Sequence, residues 1–324
     1  MAHKRRRLEE KGWDPATIAL VLDSRKEKRK QKGYNNIQQR YISWAKSRGV
    51  DPEQPNPAQL LNWLTAGVLI QEWHASTVQN YKSAIIYMYE DKSSFSDLNF
   101  LSYFKVIKER SVKDMKEIDI GLQPILTHFR QQGPNETLDI SALTRKLCWL
   151  IGTCGFLRPS DIWCIDLAND NFALSEDLCK LPIVFPKETR DGQRIIKYTT
   201  IKSHEDPLLC PVRTITEYLR RLEGHEIMVP HHKDESVLHR PLIRDVRLPR
   251  TPVTSQTIGN HIAAITDLLG LPPTRATGPT EAIKKGALVD NVVVHGNWSS
   301  SMIVNNYYRL TRATATNFTS LVLP

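Results

Sequence analysis

Cys154-Gly-Phe-Leu-Arg158-Pro-Ser-Asp161-Ile-Trp-Cys-Ile-Asp-Leu167 and Asn297-Trp298-Ser-Ser-Ser-Met-Ile-Val-Asn-Asn306-Tyr307-Tyr308-Arg309 are the two stretches on which the fold is decided. The first sets an arginine just beyond an apolar helix, with an acid three residues on. Taken alone, Arg-x-x-Asp describes a surface ion pair better than a phosphate site. The second places a tryptophan nine residues before a tyrosine in a segment with helical apolar spacing, which gives the arginine a context.

Outward from these stretches, composition narrows the class. The chain has 324 residues, with 44 Lys+Arg against 35 Asp+Glu, a formal charge of +9 that favours a polyanionic partner. Forty per cent apolar and 24% charged residues are globular proportions, and the length suits two domains. The most hydrophobic run, Leu147 to Leu157, holds 11 residues, short of the roughly 18 needed to span a bilayer. The basic N-terminus, followed by acids, does not read as a secretory signal, so an intracellular protein is expected. Five cysteines, Cys148, Cys154, Cys164, Cys179 and Cys210, form no C-x-x-C pair and read as reduced, packed thiols. There is no nucleotide-binding G-x-x-x-x-G-K-[ST] loop.

The positive charge is unevenly placed. Residues 1–32 carry 11 Lys/Arg and 5 Asp/Glu, in two basic clusters, Lys4 to Arg7 and Arg25 to Lys32. Candidate DNA contacts are therefore Arg5, Arg6, Arg7, Arg25, Lys26, Lys28, Arg29 and Lys30, joined by Lys82; the clusters also suit a nuclear-import signal. Helical spacing appears at 15–22, 35–45, 59–70 and 77–90, so residues 1–110 are expected to form a helical domain. Residues 111–121 read as a linker, and 122–324 as a second domain. In it, 143–156 is an apolar helix, while 181–185 and 194–201 read as strands joined through Arg190-Asp191-Gly192-Gln193. Further helices are expected at 212–222 and 255–269. The polar stretch with His225, His231, His232 and His239 reads as a solvated loop, its histidines too irregularly spaced for a metal site.

With those elements in order, the chain resembles the tyrosine recombinases of the phage-integrase family over nearly its whole length. Leu157-Arg158-Pro-Ser-Asp161 matches the family's Leu-Arg-x-x-[ED], and Trp298 to Tyr307 is similar to its Cre-like branch, with tryptophan where most members have histidine. Counting back the family's spacing of 23 residues from Trp298 lands on Arg275. The helical first half, with Tyr41, Trp44 and Tyr81-Lys82-Ser83-Ala84, resembles the core-binding domain of the DIRS and Crypton transposon branch. The resemblance implies a mainly α fold, a SAM-like helical core-binding domain followed by an α+β catalytic domain with a small β-hairpin. It further implies a protein of the nucleus that cuts and rejoins double-stranded DNA through a 3′-phosphotyrosyl link, without metal or cofactor, as a homo-oligomer, a tetramer on DNA. One position departs: where the family has H-x-x-R, the histidine place is Pro272.

The chemistry so implied suits the residues. Two guanidiniums, Arg158 and Arg275, clamp the phosphate oxygens, since arginine keeps its charge and bonds bidentately. A lysine protonates the departing 5′ oxygen; Lys187 matches the family position best, with Lys197 the fallback. Tyr307 is the expected nucleophile on the nine-residue spacing, with its neighbour Tyr308 competing for the role. Trp298 donates its indole N–H to phosphate or fills the core, Asp161 orients a basic side chain, and His295 is a conceivable stand-in for the missing histidine. The apolar tail Phe318, Leu321, Val322 and Leu323 packs on its own domain or on a neighbouring protomer. Two other classes remain open: a recombinase-derived protein that only binds DNA, its site decayed at Pro272, and a general helix-turn-helix regulator, which leaves the arginine-to-tyrosine series unexplained.

Overall fold

The computed structural model describes residues 5, 8–111, 121–267, 270 and 274–309, without the side chains of 25, 26, 28 and 29. The chain divides into two units, Met1–Asp114 and Met115–Pro324. Arg6, Arg7, Pro272 and the apolar C-terminal tail lie outside the described residues, as does most of the proposed linker.

The first unit is helical: α1 (Pro15–Leu22), α2 (Arg25–Ser47), α3 (Pro57–Ile70), α4 (Ala75–Ile86) and α5 (Leu98–Glu109). Polar caps set the starts. Ser24 Oγ accepts the Glu27 amide, Asn56 Oδ1 that of Gln59, with Pro57 at the first helical position, and Asp97 those of Asn99 and Phe100. Ile37 and Tyr41 from α2, Leu60, Trp63 and Leu64 from α3, Val78 and Ile85 from α4, and Phe100 and Phe104 from α5 form one core. Two boundaries differ from the sequence reading. Helix α2 begins ten residues before Asn35, because lysine, arginine and glutamate are good helix formers even where no apolar residue reveals the period. Helix α5 occupies a stretch assigned no element and ends at Glu109, just before the segment read as a linker.

The second unit is built around α7 (Ile140–Cys154), started by Asp139, whose Oδ1 accepts the Ala142 amide at 2.8 Å. Preceding it is α6 (Gln123–Gln132), and following it the single turn α8 (Pro159–Ile162). A three-stranded antiparallel sheet follows, β1 (Ala173–Leu174), β2 (Leu178–Arg190) and β3 (Gln193–Lys202), in the order β1-β2-β3. Asp191 and Gly192, at φ 49° and 79°, make the two-residue turn whose twist suits a hairpin. Then come α9 (Pro211–Arg221), the hairpin β4 (Val229–His231) and β5 (Asp234–His239), α10 (Ser255–Thr266), α11 (Thr274–Lys284), α12 (Val289–His295), α13 (Ser301–Ile303) and a π turn at Val304–Tyr308. Helices α9, α10 and α11 pack against α7, whose Leu143, Leu147, Trp149, Leu150 and Ile151 are buried among them.

The mainly α fold with a small sheet is as the sequence implied. The histidine-rich stretch is a correction: it forms the β4–β5 hairpin with His231 and His239 buried, and is no solvated loop. No helix among the described residues is long and apolar enough to cross a membrane.

Two glycines test the packing of the two units with opposite signs. Gly278 of α11 faces the Thr153 carbonyl and the Phe156 ring so closely that a Cβ would overlap both. Gly278→Ala is expected to destabilise the second unit by about 1–3 kcal/mol. Gly33, inside α2, has nothing near its missing Cβ, so Gly33→Ala is expected to stabilise the first unit by about 0.5–1 kcal/mol. Urea unfolding of each variant checks both signs.

Candidate active site

Arg158 ends the turn that leaves α7. Its backbone N–H donates to Asp161 Oδ2 at 3.1 Å, so the acid at the third position of α8 closes that helix's first turn. The same Oδ2 accepts Arg275 Nη1 at 2.8 Å and lies 3.3 Å from Lys197 Nζ. Asp161 is fully buried, and the side chains of Arg275 and Lys197 are 6% and 4% exposed. One buried carboxylate thus ties together α8, the sheet and α11.

Lys197 arrives by strand alternation. Residues 197, 199 and 201 of β3 face inward while 196, 198, 200 and 202 do not, so the lysine shares a face with Ile201 and reaches the cluster. Lys187, the first choice from sequence, is exposed and makes none of these contacts. The reason is an irregularity in β2. Between the pairs Val184–Ile196 and Thr189–Arg194, β2 advances five residues while β3 advances two, with Phe185 at a φ of 51°. That bulge turns Lys187 outward and its neighbour Glu188 inward.

Glu188 was not singled out by sequence. Its Oε1 accepts Arg158 Nη1 at 2.5 Å and Arg275 Nη2 at 3.4 Å, and its Oε2 is 3.5 Å from Lys197 Nζ. Burial works to raise its pKa, but Lys197, Arg158, a backbone hydrogen bond and Arg275 outweigh that and hold it at about 2. Three cations therefore face two carboxylates.

The tyrosine that joins them is Tyr308. Its hydroxyl oxygen accepts Arg158 Nη2 at 2.9 Å, its ring lies under the Arg275 guanidinium at 5.0 Å, and its carbonyl accepts Thr280 Oγ1 at 2.9 Å. Tyr307 is 71% exposed. The nine-residue count from Trp298 assumed a regular helix, whereas residues 304–308 form a π turn, closed by Arg309 N–H to the Val304 carbonyl at 2.9 Å. A π turn holds one residue more than an α turn, which moves the inward position from 307 to 308.

Trp298 stacks on Tyr308, with ring centroids 4.8 Å apart, and on Phe156 at 5.9 Å, while the Arg275 guanidinium lies 5.5 Å from its ring. Gly296 leaves room for the indole where any Cβ would strike it. The buried indole N–H finds no acceptor among the described residues. His295 does not enter the cluster. Its Nε2 donates to the Cys154 carbonyl at 2.7 Å and its ring meets Phe156 edge-on, which fastens α12 to the end of α7.

The structure also gathers Cys164, His231 and His232, whose ligand atoms all lie within 4.8 Å of one another. Spacing along the chain hid this grouping. Two features oppose a cation there. Lys233 N–H donates to His231 Nδ1 at 3.1 Å, which leaves the proton of the neutral ring on Nε2, and the Lys233 ammonium reaches the Phe185 carbonyl, which Cys164 Sγ also approaches at 3.7 Å. Burial, His239 and Lys233 push His231 down to about 4.

In the first unit the basic residues take local partners. Arg5 lies 3.6 Å from Asp23, Lys30 Nζ is 4.1 Å from the centre of the Tyr87 ring, and Lys82 Nζ is 4.1 Å from that of Phe104, where burial lowers its pKa. Arg25, Lys26, Lys28 and Arg29 lie on the first turns of α2.

No protein-family model and no curated protein sequence matches the chain. Its structure is similar in fold to solved ones. A lambda integrase dimer bound to a COC′ core site aligns over 98% of this chain and 96% of its own, at 14% identity and a TM-score of 0.53. The Tn1549 transposon integrase in complex with circular intermediate DNA aligns over 88% and 98%, at 11% identity and a TM-score of 0.52. The XerH site-specific recombinase bound to its palindromic difH substrate aligns over 83% and 70%, at 15% identity and a TM-score of 0.50. The chain has the fold of these recombinases and integrases.

Two stability measurements follow from the geometry. Asp161→Asn removes the charge from between Arg275 and Lys197 and is expected to destabilise the second unit by about 3–5 kcal/mol in thermal or urea unfolding. Glu188 titrates at about 2 in the folded chain against an ordinary 4.5, so its contribution is complete above the ordinary value and is lost as pH falls through about 2. Glu188→Gln is expected to flatten that acid limb in a stability–pH profile.

Proposed function

We propose that this chain cleaves and rejoins double-stranded DNA by transesterification, with Tyr308 as nucleophile, and that it exchanges strands at particular sites as a recombinase or integrase. The observation that carries the proposal is the convergence of Arg158, Lys197, Arg275, Trp298 and Tyr308, from five separate segments, on one cluster in which Arg158 bonds the tyrosine hydroxyl directly. The shared fold with DNA-bound recombinases supports it.

Tyr308 Oη attacks phosphorus and forms the phosphotyrosyl bond as the bond to the 5′ oxygen breaks. The phenolic proton passes to solvent, and Lys197 gives a proton to the departing 5′ oxygen. Arg158 and Arg275 hold the non-bridging oxygens, where charge builds in the transition state. The unsatisfied Trp298 N–H supplies a third donor. The ester conserves the energy of the broken bond, so the reverse attack by a 5′ hydroxyl rejoins DNA without a cofactor. The helical first unit, with basic residues on the first turns of α2 and Lys82 on α4, grips the duplex through phosphate contacts. Assembly of several copies on DNA belongs to the same proposal; Leu288, Val294 and Met302, 69%, 76% and 68% exposed on the C-terminal helices, are the apolar surface it would use.

Pro272 favours a second reading, in which the site binds DNA and no longer cuts it. Incubation with nicked duplex DNA, followed by a denaturing gel, separates the two. A covalent adduct is expected from the parent chain and from Tyr307→Phe, and none from Tyr308→Phe. An adduct lost in Tyr307→Phe alone would return the nucleophile to Tyr307; no adduct across varied duplexes favours the binding-only reading. Lys197→Ala is expected to slow cleavage by about 10²–10⁴-fold, and a 5′-bridging sulfur, which departs without a proton, should restore most of the rate. Lys187→Ala should leave it unchanged.

A further inference from the structure

The cations assigned to phosphate already hold an anion. Arg158 and Arg275 donate to Oε1 of Glu188 at 2.5 and 3.4 Å, and Lys197 Nζ is 3.5 Å from Oε2. A carboxylate and a phosphodiester each offer one negative charge on two terminal oxygens, so both suit the same planar donors. The second acid is differently placed. Asp161 caps α8 and is fully buried, and it meets Arg275 and Lys197 through one oxygen that also takes a backbone amide. It cannot withdraw without opening the helix. Glu188 is 19% exposed and stands on the bulge of β2, where pairing with β3 lapses between Val184 and Thr189. Its backbone has little ladder to break on moving.

We infer that Glu188 occupies the place of the scissile phosphate in the DNA-free chain and is expelled by it, so that the arginine–lysine cluster is held in check until a phosphodiester competes for it. This inference rests on the strand-cleaving reading of the cluster. With both acids in place the three cations keep a net charge of +1; with Glu188 withdrawn they have +2, enough to match the second negative charge that develops on the phosphorane. A retained Glu188 would instead face that charge with its own sign, at a separation where like charges are costly in a partly buried site. The carboxylate also keeps Arg158 and Arg275 converged in the absence of DNA, which spares the reorganisation otherwise needed on binding.

The test uses the full chain with Tyr308→Phe, which removes the covalent step, and inorganic phosphate as the probe, titrated by calorimetry or ³¹P NMR. Adding Glu188→Gln is expected to tighten phosphate binding on the order of tenfold, because a like charge leaves the site. Glu188→Asp keeps the charge but withdraws it by one methylene, and is expected to fall between. Phosphate binding in Glu188→Gln that is equal to or weaker than in its parent overturns the inference and makes Glu188 a positioning residue for the two arginines. Should Glu188→Gln fail to fold, Glu188→Asp decides alone: tighter binding supports the inference, equal or weaker binding overturns it. Tighter phosphate binding with no covalent adduct from chains that keep Tyr308 would sink the strand-cleaving reading and leave the anion site standing.

Discussion

Asp161 is the carboxylate on which the second unit turns. It receives the amide that starts α8, a guanidinium from α11 and an ammonium from β3, in the interior and with no share of its surface in water. Burying three charges carries a desolvation cost that hydrophobic side chains of the same volume would avoid, so stability alone does not explain such a cluster. What it provides is position. Arg275 and Lys197 come from elements far apart in sequence and share one oxygen, which fixes where α11 and the sheet stand relative to the turn that carries Arg158.

That arrangement gives the site its electrostatic character. The two arginines and the lysine cannot be neutralised by Asp161 alone, and the surplus is directed at the side where Tyr308 and Trp298 stack. Aromatic faces are tolerant neighbours for guanidinium groups, and the rings of Trp298 and Tyr308 cover Arg275 without competing for its N–H donors. Glu188, the more exposed of the two acids, accepts from one nitrogen of each arginine and lies 3.5 Å from Lys197 Nζ. The cluster is therefore polarised: one acid built into the frame, one on a strand irregularity, and the phenol between the arginines.

Much of this was legible in one dimension. Arg158 and Asp161 are three residues apart at the start of a helical turn, and Trp298 and Arg275 were reached through the resemblance, the second by its 23-residue spacing from the first. The hydrophobic period located α3, α4 and α7, and the Asp191-Gly192 turn announced the β2–β3 hairpin. Two kinds of signal were missing. Helix α2 begins in a run of charges where no apolar stripe marks the period, and the β4–β5 hairpin is rich in histidine, whose burial depends on neighbours that are remote in sequence. Lys197 was more accessible than its rank as a fallback suggests: an inward position two residues from Thr199 and four from Ile201 is visible in the alternation of β3.

The remaining differences share one cause. A position carried over from a resemblance, as for Lys187, or counted along a helix, as for Tyr307, presumes a regular element, and both side chains sit where that regularity fails, on the β2 bulge and in the π turn. Each irregularity adds residues to an otherwise regular element, so everything beyond it changes face. Such insertions weaken the local hydrogen-bond pattern and persist where they re-aim a side chain that matters. Here the two meet at a single group: one Arg158 nitrogen bonds Glu188, delivered by the bulge, and the other bonds Tyr308, delivered by the π turn. A regular strand and a regular helix would have presented neighbours of these residues to the guanidinium, and its planar fork would have lost both partners at once.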